Sequence, residues 1–411
     1  MIDRRNFLAG AMGLTATALA ARPAQSQARS ANYGPGVSDT EIRIGHTNAF
    51  SGPVSAFSAI GVAMEAYFRS INDAGGINGR KLVLLTEDDQ YSPPKTVEAT
   101  RKLVERDEVL FMAAGMGTPT QSAVQPYLNG KKVPQLFVLG GASKWGRPRE
   151  NPWTIGWSPT YASEAGVYAR HILANRPDAK IAVFYANDDF GKDYLEGLKQ
   201  GLGDKVGMIV AEASAQATDA TVDSPIAILK ASGADVLVNA GPGKGASQAI
   251  RVCAQLGWKP LHYLNNNSTG IKNFLEPAGL ENAEGIITAL YRKDPNDPRW
   301  KDDAGMNVWR EWMAKYNPSE STSNDLFVQG YSVAQTICQV LTQCGDELTR
   351  ENIMRQAAAL RNFELPLNLP GITLNTSESD FYPMEAMQLA RFNTERWELF
   401  GETIDTSDRD G

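Results

Sequence analysis

Two acid-rich stretches come first among the residues that could do chemistry: Glu87, Asp88 and Asp89 in "TEDDQ", and Asp188 and Asp189 in "NDDFG". Paired carboxylates could share general acid and base roles or hold calcium, but the glycine spacing of an EF-type loop is absent and no GxSxG nucleophile elbow occurs. Solvated strand-end charge is the plainer reading. Ser143 in "GGAS" and Ser247 in "KGAS" have no sequence neighbour to activate them, and only His46, His171 and His262 are available to complete a triad. "GPGKGAS", Gly241 to Ser247, fits neither the dinucleotide nor the P-loop fingerprint, and the acid expected about 20 residues further on is missing from "LHYLNNN". Cys253, Cys338 and Cys344 form no CxxC pair. Packed free thiols are expected, with a Cys338–Cys344 bridge as the alternative. No cofactor and no metal site are expected.

These residues sit in a chain of 411, 42% hydrophobic, long enough for two cores. The formal net charge of −7 argues against a nucleic-acid partner. Residues 1–28 read as an export signal: Arg4 and Arg5 precede an apolar run from Phe7 to Ala21, and Ser26-Gln27-Ala28 offers small residues for cleavage. The paired arginines favour the twin-arginine route. The segment has no cysteine, so the mature chain is expected in the periplasm, soluble and without a lipid anchor.

From Asp39 onward short apolar runs alternate with amphipathic stretches. "EIRIGHTNAF", "RKLVLLTEDD", "VLFMAAG" and "KVPQLFVLGG" read as strands separated by helices, and the alternation restarts after "NPWTIGWSPT" with "KIAVFYAND", "GMIVAEAS", "DVLVNAG" and "PLHYLNN". The predicted fold class is α/β, two doubly wound parallel-sheet lobes in tandem. Longer helices follow Asp297, and "MEAMQLARFNTERWELFG" is strand-like, so these late elements return to complete one lobe and then the other. No low-complexity linker separates the halves, which favours a hinge of crossing strands.

Ligands in open parallel sheets bind beyond the carboxyl ends of the strands, where helix amino termini present unpaired N–H groups. Two such loops combine small residues with hydroxyls: "GTPT", Gly117 to Thr120, and "GGAS", Gly140 to Ser143. Each reads alone as a helix N-cap; together, in neighbouring loops, they favour an anion site.

The stretch from "EIRIGHTNAFSGP" through "INDAGGINGRKLVLLTEDD" to "PKTVEATRKLV" resembles the start of periplasmic leucine/isoleucine/valine-type binding proteins, the receptors of ABC importers. "VFYANDDFGKDYLEGLK" and "GIITAL" are similar to that family's second lobe. The resemblance implies a type I bilobal fold with three crossings, near Trp157, Tyr291 and Ala390. Lobe I would hold residues 39–157 and 292–390, lobe II residues 158–291 and 391–402, with 403–411 as a tail. It also implies that the ligand carboxylate meets Gly117, Thr118, Gly141 and Ala142, beside Ser143, and that Phe57 and Phe190 are aromatic walls.

In amino-acid receptors of this kind the strand matching "LHYLNNN" ends in an acid that pairs with the ligand's ammonium, and Asn266 holds that place here. Asn239, Gly241 and Pro242 in "VNAGP" also depart from the family pattern. A buried ammonium without a carboxylate is costly. The expected ligand is therefore a small carboxylate lacking an α-amino group, aromatic, keto or aliphatic, delivered by a monomeric receptor to an ABC permease. A one- or two-residue slip at Asn266, or an acid supplied by Asp188 or Asp189, would restore an amino-acid ligand. A cleft hydrolase and a ligand-loaded signalling partner are the readings from other classes. Trp145, Trp153 and Trp157 are expected either on an aromatic ligand or in the lobe junction.

Overall fold

The computed structural model describes residues 32–407, so the export segment read in residues 1–28 and the end of the 403–411 tail lie outside the described residues. Runs in which nearly every side chain is apolar become interior strands: Ile181–Ala186 and Val236–Ala240 are buried along almost their whole length. That burial suits strands covered by helices on both faces. Lys81–Asp88 and Ile209–Ala215 keep exposed positions, and each lies at the edge of its sheet.

The first sheet runs Lys81–Asp88, Glu41–Asn48, Phe111–Ala113, Gln135–Val138, Thr154–Gly156 in spatial order, all parallel. The second runs Trp397–Leu399, Ala386–Phe392, Ile287–Leu290, Leu261–Leu264, Val236–Ala240, Ile181–Ala186, Ile209–Ala215. Its strands between residues 181 and 290 are parallel, and the two late strands join antiparallel. In each sheet the earliest strand, Glu41–Asn48 or Ile181–Ala186, lies between the next two, which makes a topological switch point.

The chain leaves the first sheet after Gly156 and enters the helix Tyr161–Asn175; it leaves the second after Leu290. Trp157 Nε1 donates to Thr336 Oγ1 at 3.0 Å, and its ring meets Tyr291 edge-on at 6.2 Å, so these two crossings pack on each other. The third crossing falls earlier than the sequence reading placed it. All of Ala386–Phe392 runs in the second sheet, with Leu290 paired to Gln388 and Thr288 to Ala390. Ile404–Asp405, read as tail, pairs with the start of that strand.

Among the late helices, Leu326–Cys344 packs on Ser58–Asp73. Gly330 permits the contact: a Cβ there would stand 2.5 Å from the Ile60 carbonyl oxygen. Cys253, Cys338 and Cys344 are buried free thiols. No helix among the described residues is long and apolar enough to cross a membrane.

Candidate ligand-binding site

The carboxyl ends of the two sheets face one cavity with about 640 Å³ of empty space, its mouth included. Val54, Phe57, Ile60, Tyr91, Met116, Gly117, Thr118 and Leu139 line it from the first lobe, and Gln329 from the late helix. The second lobe supplies Tyr161, Phe190, Ala217, the turn Gly241-Pro242-Gly243, Asn265, Asn267 and Ser268. No side chain in this lining carries a charge.

The helix Thr118–Lys131 starts at the cavity wall. Gly117 precedes it at φ 99°, its N–H donating to the Leu139 carbonyl at 3.0 Å, and no side chain caps the helix. Thr120, the obvious capping hydroxyl of "GTPT", instead donates to the Met116 and Gly117 carbonyls at 2.6 and 2.8 Å. Intrahelical bonding leaves the first amides of a helix without partners. The uncapped end beside Thr118 therefore offers N–H groups and a favourable dipole to an anion.

The aromatic walls are assembled from both lobes. The Tyr161 ring meets Phe190 edge-on at 4.7 Å and stacks on Tyr194 at 5.2 Å, while Phe57 lies 5.9 Å from Phe274. The Tyr161 hydroxyl joins the lobes, 3.3 Å from Thr118 Oγ1 and 3.4 Å from Asn267 Nδ2. Burial pushes its phenol up to about 12, so it stays protonated.

Of the residues singled out from sequence, Phe57, Gly117, Thr118, Phe190, Gly241 and Pro242 stand together in this lining. Gly141, Ala142 and Ser143 do not. The Gly141 carbonyl accepts from Tyr161 N–H at 2.7 Å. Ser143 donates from both backbone and hydroxyl to Asp193 Oδ2 at 3.0 Å. The "GGAS" loop is thus spent on the second lobe, reinforced by Lys144 to Asp189 at 2.8 Å. Asn239 is fully buried and works on its own turn, accepting from Gly241 N–H and donating to the Ala246 carbonyl, both at 3.1 Å.

Asn266 also lies outside the lining. The strand Leu261–Leu264 ends, and Asn266–Ser268 turns as a 3-10 element, so the consecutive residues Asn267 and Ser268 both reach the cavity. Asn265 also lines it, while Asn266 turns away, donating from Nδ2 to the Ala289 carbonyl at 2.5 Å and accepting from Arg292 at 3.3 Å. Its backbone N–H donates at 2.7 Å to Glu164, which also accepts from the Tyr168 hydroxyl. Burial pushes the Glu164 carboxyl up to about 7. Arg292 pairs with Asp325 at 2.8 Å beneath the second crossing.

The acid pairs are structural. Asp88 accepts from Phe50 and Gln90 N–H at 3.0 Å and from the Ser51 hydroxyl at 2.6 Å. Asp188 caps the helix Asp189–Leu202 through Gly191 N–H, and Lys144 holds Asp189 below the usual carboxylate range. Neither Asp188 nor Asp189 lines the cavity. Among the described residues no group of His, Cys, Asp and Glu is placed to hold a metal. Trp145, Trp153 and Trp157 do not reach the cavity. Tyr91, Tyr161, Asn267, Ser268 and Gln329 were not singled out from sequence; the signal within reach was the placement of Tyr91 and Tyr161 just past a strand end and a crossing.

A cavity lined without charge between two doubly wound lobes, with polar groups at its ends, fits a ligand-binding receptor. The chain belongs to the periplasmic binding protein family, whose model matches residues 41–396. It is similar to the Leu/Ile/Val-binding protein homolog 3 of Brucella melitensis, 28% identical over 266 residues, which cover 64% of this chain and 70% of that one. Two solved structures share the fold. A branched chain amino acid ABC transporter protein from Thermus thermophilus, with bound valine, superposes with a TM-score of 0.81 at 17% identity, covering 90% of this chain and 98% of that one. A fatty acid ABC transporter substrate-binding protein from Thermomonospora curvata gives 0.76 at 20% identity, covering 91% and 95%.

Proposed function

We propose that this chain is the exported, soluble receptor of an ABC importer, and that it binds a small organic carboxylate lacking an α-amino group. The ligand sits between the lobes and the closed form is presented to an inner-membrane permease. One observation carries the choice of ligand: the lining holds an uncapped helix start for an anion but no carboxylate for an ammonium. Burying an ammonium without a counter-charge costs several kcal/mol. Phe57, Tyr91, Tyr161 and Phe190 supply walls for an aromatic or aliphatic body, and Asn265, Asn267, Ser268 and Gln329 supply neutral hydrogen-bonding groups.

The alternative is an amino-acid ligand, as in the Thermus relative with bound valine. It requires Asp188, which caps Gly191 through one carboxylate oxygen and stands near Tyr91 and Tyr161, to reach the cavity. The Thermomonospora relative, whose name specifies fatty acid, is consistent with an acid-binding receptor on this fold. Thermal unfolding of residues 29–411 against amino acids, aromatic acids, keto acids, aliphatic mono- and diacids, amides and urea separates the two. A ligand at 100 times its Kd adds about 2.7 kcal/mol of stability. Stabilisation by non-amino acids supports the proposal, and stabilisation by leucine or valine alone overturns its ligand.

A further inference from the structure

The strand Lys81–Asp88 ends in a turn with two successive non-glycine residues in the left-handed region, Gln90 at φ 53° and Tyr91 at φ 59°. Bulky side chains rarely adopt that conformation. Here each residue is tied down by one member of the acid pair: Asp88 accepts from Gln90 N–H at 3.0 Å and Asp89 from Tyr91 N–H at 2.9 Å. The acids are themselves fixed, Asp88 by the Ser51 hydroxyl at 2.6 Å and Asp89 by the Thr96 hydroxyl at 3.0 Å. A backbone conformation held this firmly against its preference points to a use for the side chain it directs.

Tyr91 is directed into the cavity wall. Its ring lies against Gly117, so that a Cβ at that position would overlap it. Tyr91 therefore stands beside the uncapped start of the Thr118 helix. The hydroxyl of the neighbouring Tyr161 has partners in Thr118 and Asn267, whereas that of Tyr91 has no hydrogen-bond partner among the described residues. Burial, followed by the negative charge of Asp188, holds its phenol well above the usual tyrosine range, so it remains a donor at any working pH.

We infer that Tyr91 is a specificity-determining ligand contact, its ring limiting the width of the site beside Gly117 and its hydroxyl donating to an oxygen of the bound ligand. The inference rests on the reading of this cavity as the receptor's ligand site. The acid pair of "TEDDQ" then has its role in the same device, as the clamp that holds the tyrosine in place.

The test is calorimetric titration of residues 29–411 and of the Tyr91→Phe and Tyr91→Gly variants with benzoate, phenylacetate, phenylpyruvate, hexanoate and leucine. The compound that the unmodified chain binds most tightly, leucine included, is the reference. Tyr91→Phe keeps the ring and is expected to weaken the reference compound roughly tenfold, the loss of one buried hydrogen bond, with the unliganded melting temperature unchanged. Glycine tolerates the left-handed turn. Tyr91→Gly is expected to reorder the panel towards the bulkier compounds, which loss of a purely structural residue would not do. Binding by Tyr91→Phe within twofold of the unmodified chain, with the order of the panel unchanged in both variants, overturns the role of Tyr91 and leaves the receptor reading intact. An unmodified chain that binds nothing in the panel overturns the organic-acid reading and this inference with it.

Discussion

The backbone N–H of Asn266 donates at 2.7 Å to the carboxylate of Glu164, which lies buried behind the ligand cavity. Glu164 thereby anchors the turn whose neighbouring residues, Asn265 and Asn267, line the cavity. Asn266, meanwhile, ties that turn to Arg292, one residue past the second crossing. The ligand loop and the hinge share one polar network.

That network titrates. Burial raises the folded Glu164 value from 4.5 to about 7, so between those limits the folded chain holds a proton that the unfolded chain has released. The Glu164 contribution to stability should fall as pH rises through this window and level off above it, by up to about 3 kcal/mol. Burial also raises Asp89, Asp188 and Asp294, which act in the same direction, whereas buried His46 and His262, held down to about 4 and about 3, act in the opposite direction below pH 6.5. Glu164 is therefore read as a difference: in chemical denaturation between pH 4.5 and 8, the stability of the unmodified chain minus that of Glu164→Gln, whose amide oxygen still accepts from Asn266, should fall as pH rises. An unaltered slope would remove Glu164 from the explanation.

Adjacent asparagines should separate cleanly by what they damage. Asn266→Ala strands the Ala289 carbonyl and an Arg292 donor and should destabilise by about 1–3 kcal/mol. Asn267→Ala removes only a long contact to Tyr161 and should leave the melting temperature nearly unchanged while weakening ligand binding. Paired melting and titration curves for the two variants check this.

Closure of the cleft draws on contacts away from the cavity. Ser143 and Lys144 of the first lobe meet Asp193 and Asp189 of the second. Asp193→Ala should weaken binding roughly three- to tenfold through the open–closed equilibrium, since a ligand's apparent affinity scales with the fraction of competent protein. Small-angle scattering of the unliganded variant should show a larger radius of gyration than that of the unmodified chain.

Gly117 is constrained twice, by φ 99° and by the Tyr91 ring. Gly117→Ala should destabilise by about 1–3 kcal/mol and weaken binding strongly, because the added methyl displaces the Tyr91 ring that lines the cavity beside it. Retained affinity in a folded Gly117→Ala variant would contradict the placement of the ligand beside this residue.

The strand and helix alternation was legible because interior parallel strands such as "IAVFYA" and "VLVNA" must be apolar on both faces. The loops holding Gly117, Phe190 and Gly241 followed from the rule that ligands bind at the carboxyl ends of such strands. Side-chain direction past a strand end was not legible: one turn after Leu264 exchanges Asn266 for its neighbours. Nor was Tyr91, since nothing in "DDQY" announces left-handed residues without glycine. That Gly141, Ala142 and Ser143 lie outside the lining was not legible either, since Tyr161 and Asp193, which bond to this loop, become its neighbours only when the lobes meet. The third crossing lies before Ala386, since the pairing of Leu290 with Gln388, a tertiary fact, holds the whole strand Ala386–Phe392 in the second sheet.

The absence of charge from the cavity lining bears most directly on what this receptor carries. Calorimetric titration with matched pairs that differ in the α-amino group tests it: 4-methylpentanoate against leucine, and 3-phenylpropanoate against phenylalanine. With no carboxylate lining the site, at least one of the plain acids should bind at least tenfold more tightly than its amino counterpart. Tighter binding of leucine or phenylalanine would show that an acid, Asp188 being the nearest candidate by sequence, reaches the ligand's ammonium, and would contradict the assignment of a non-amino acid ligand.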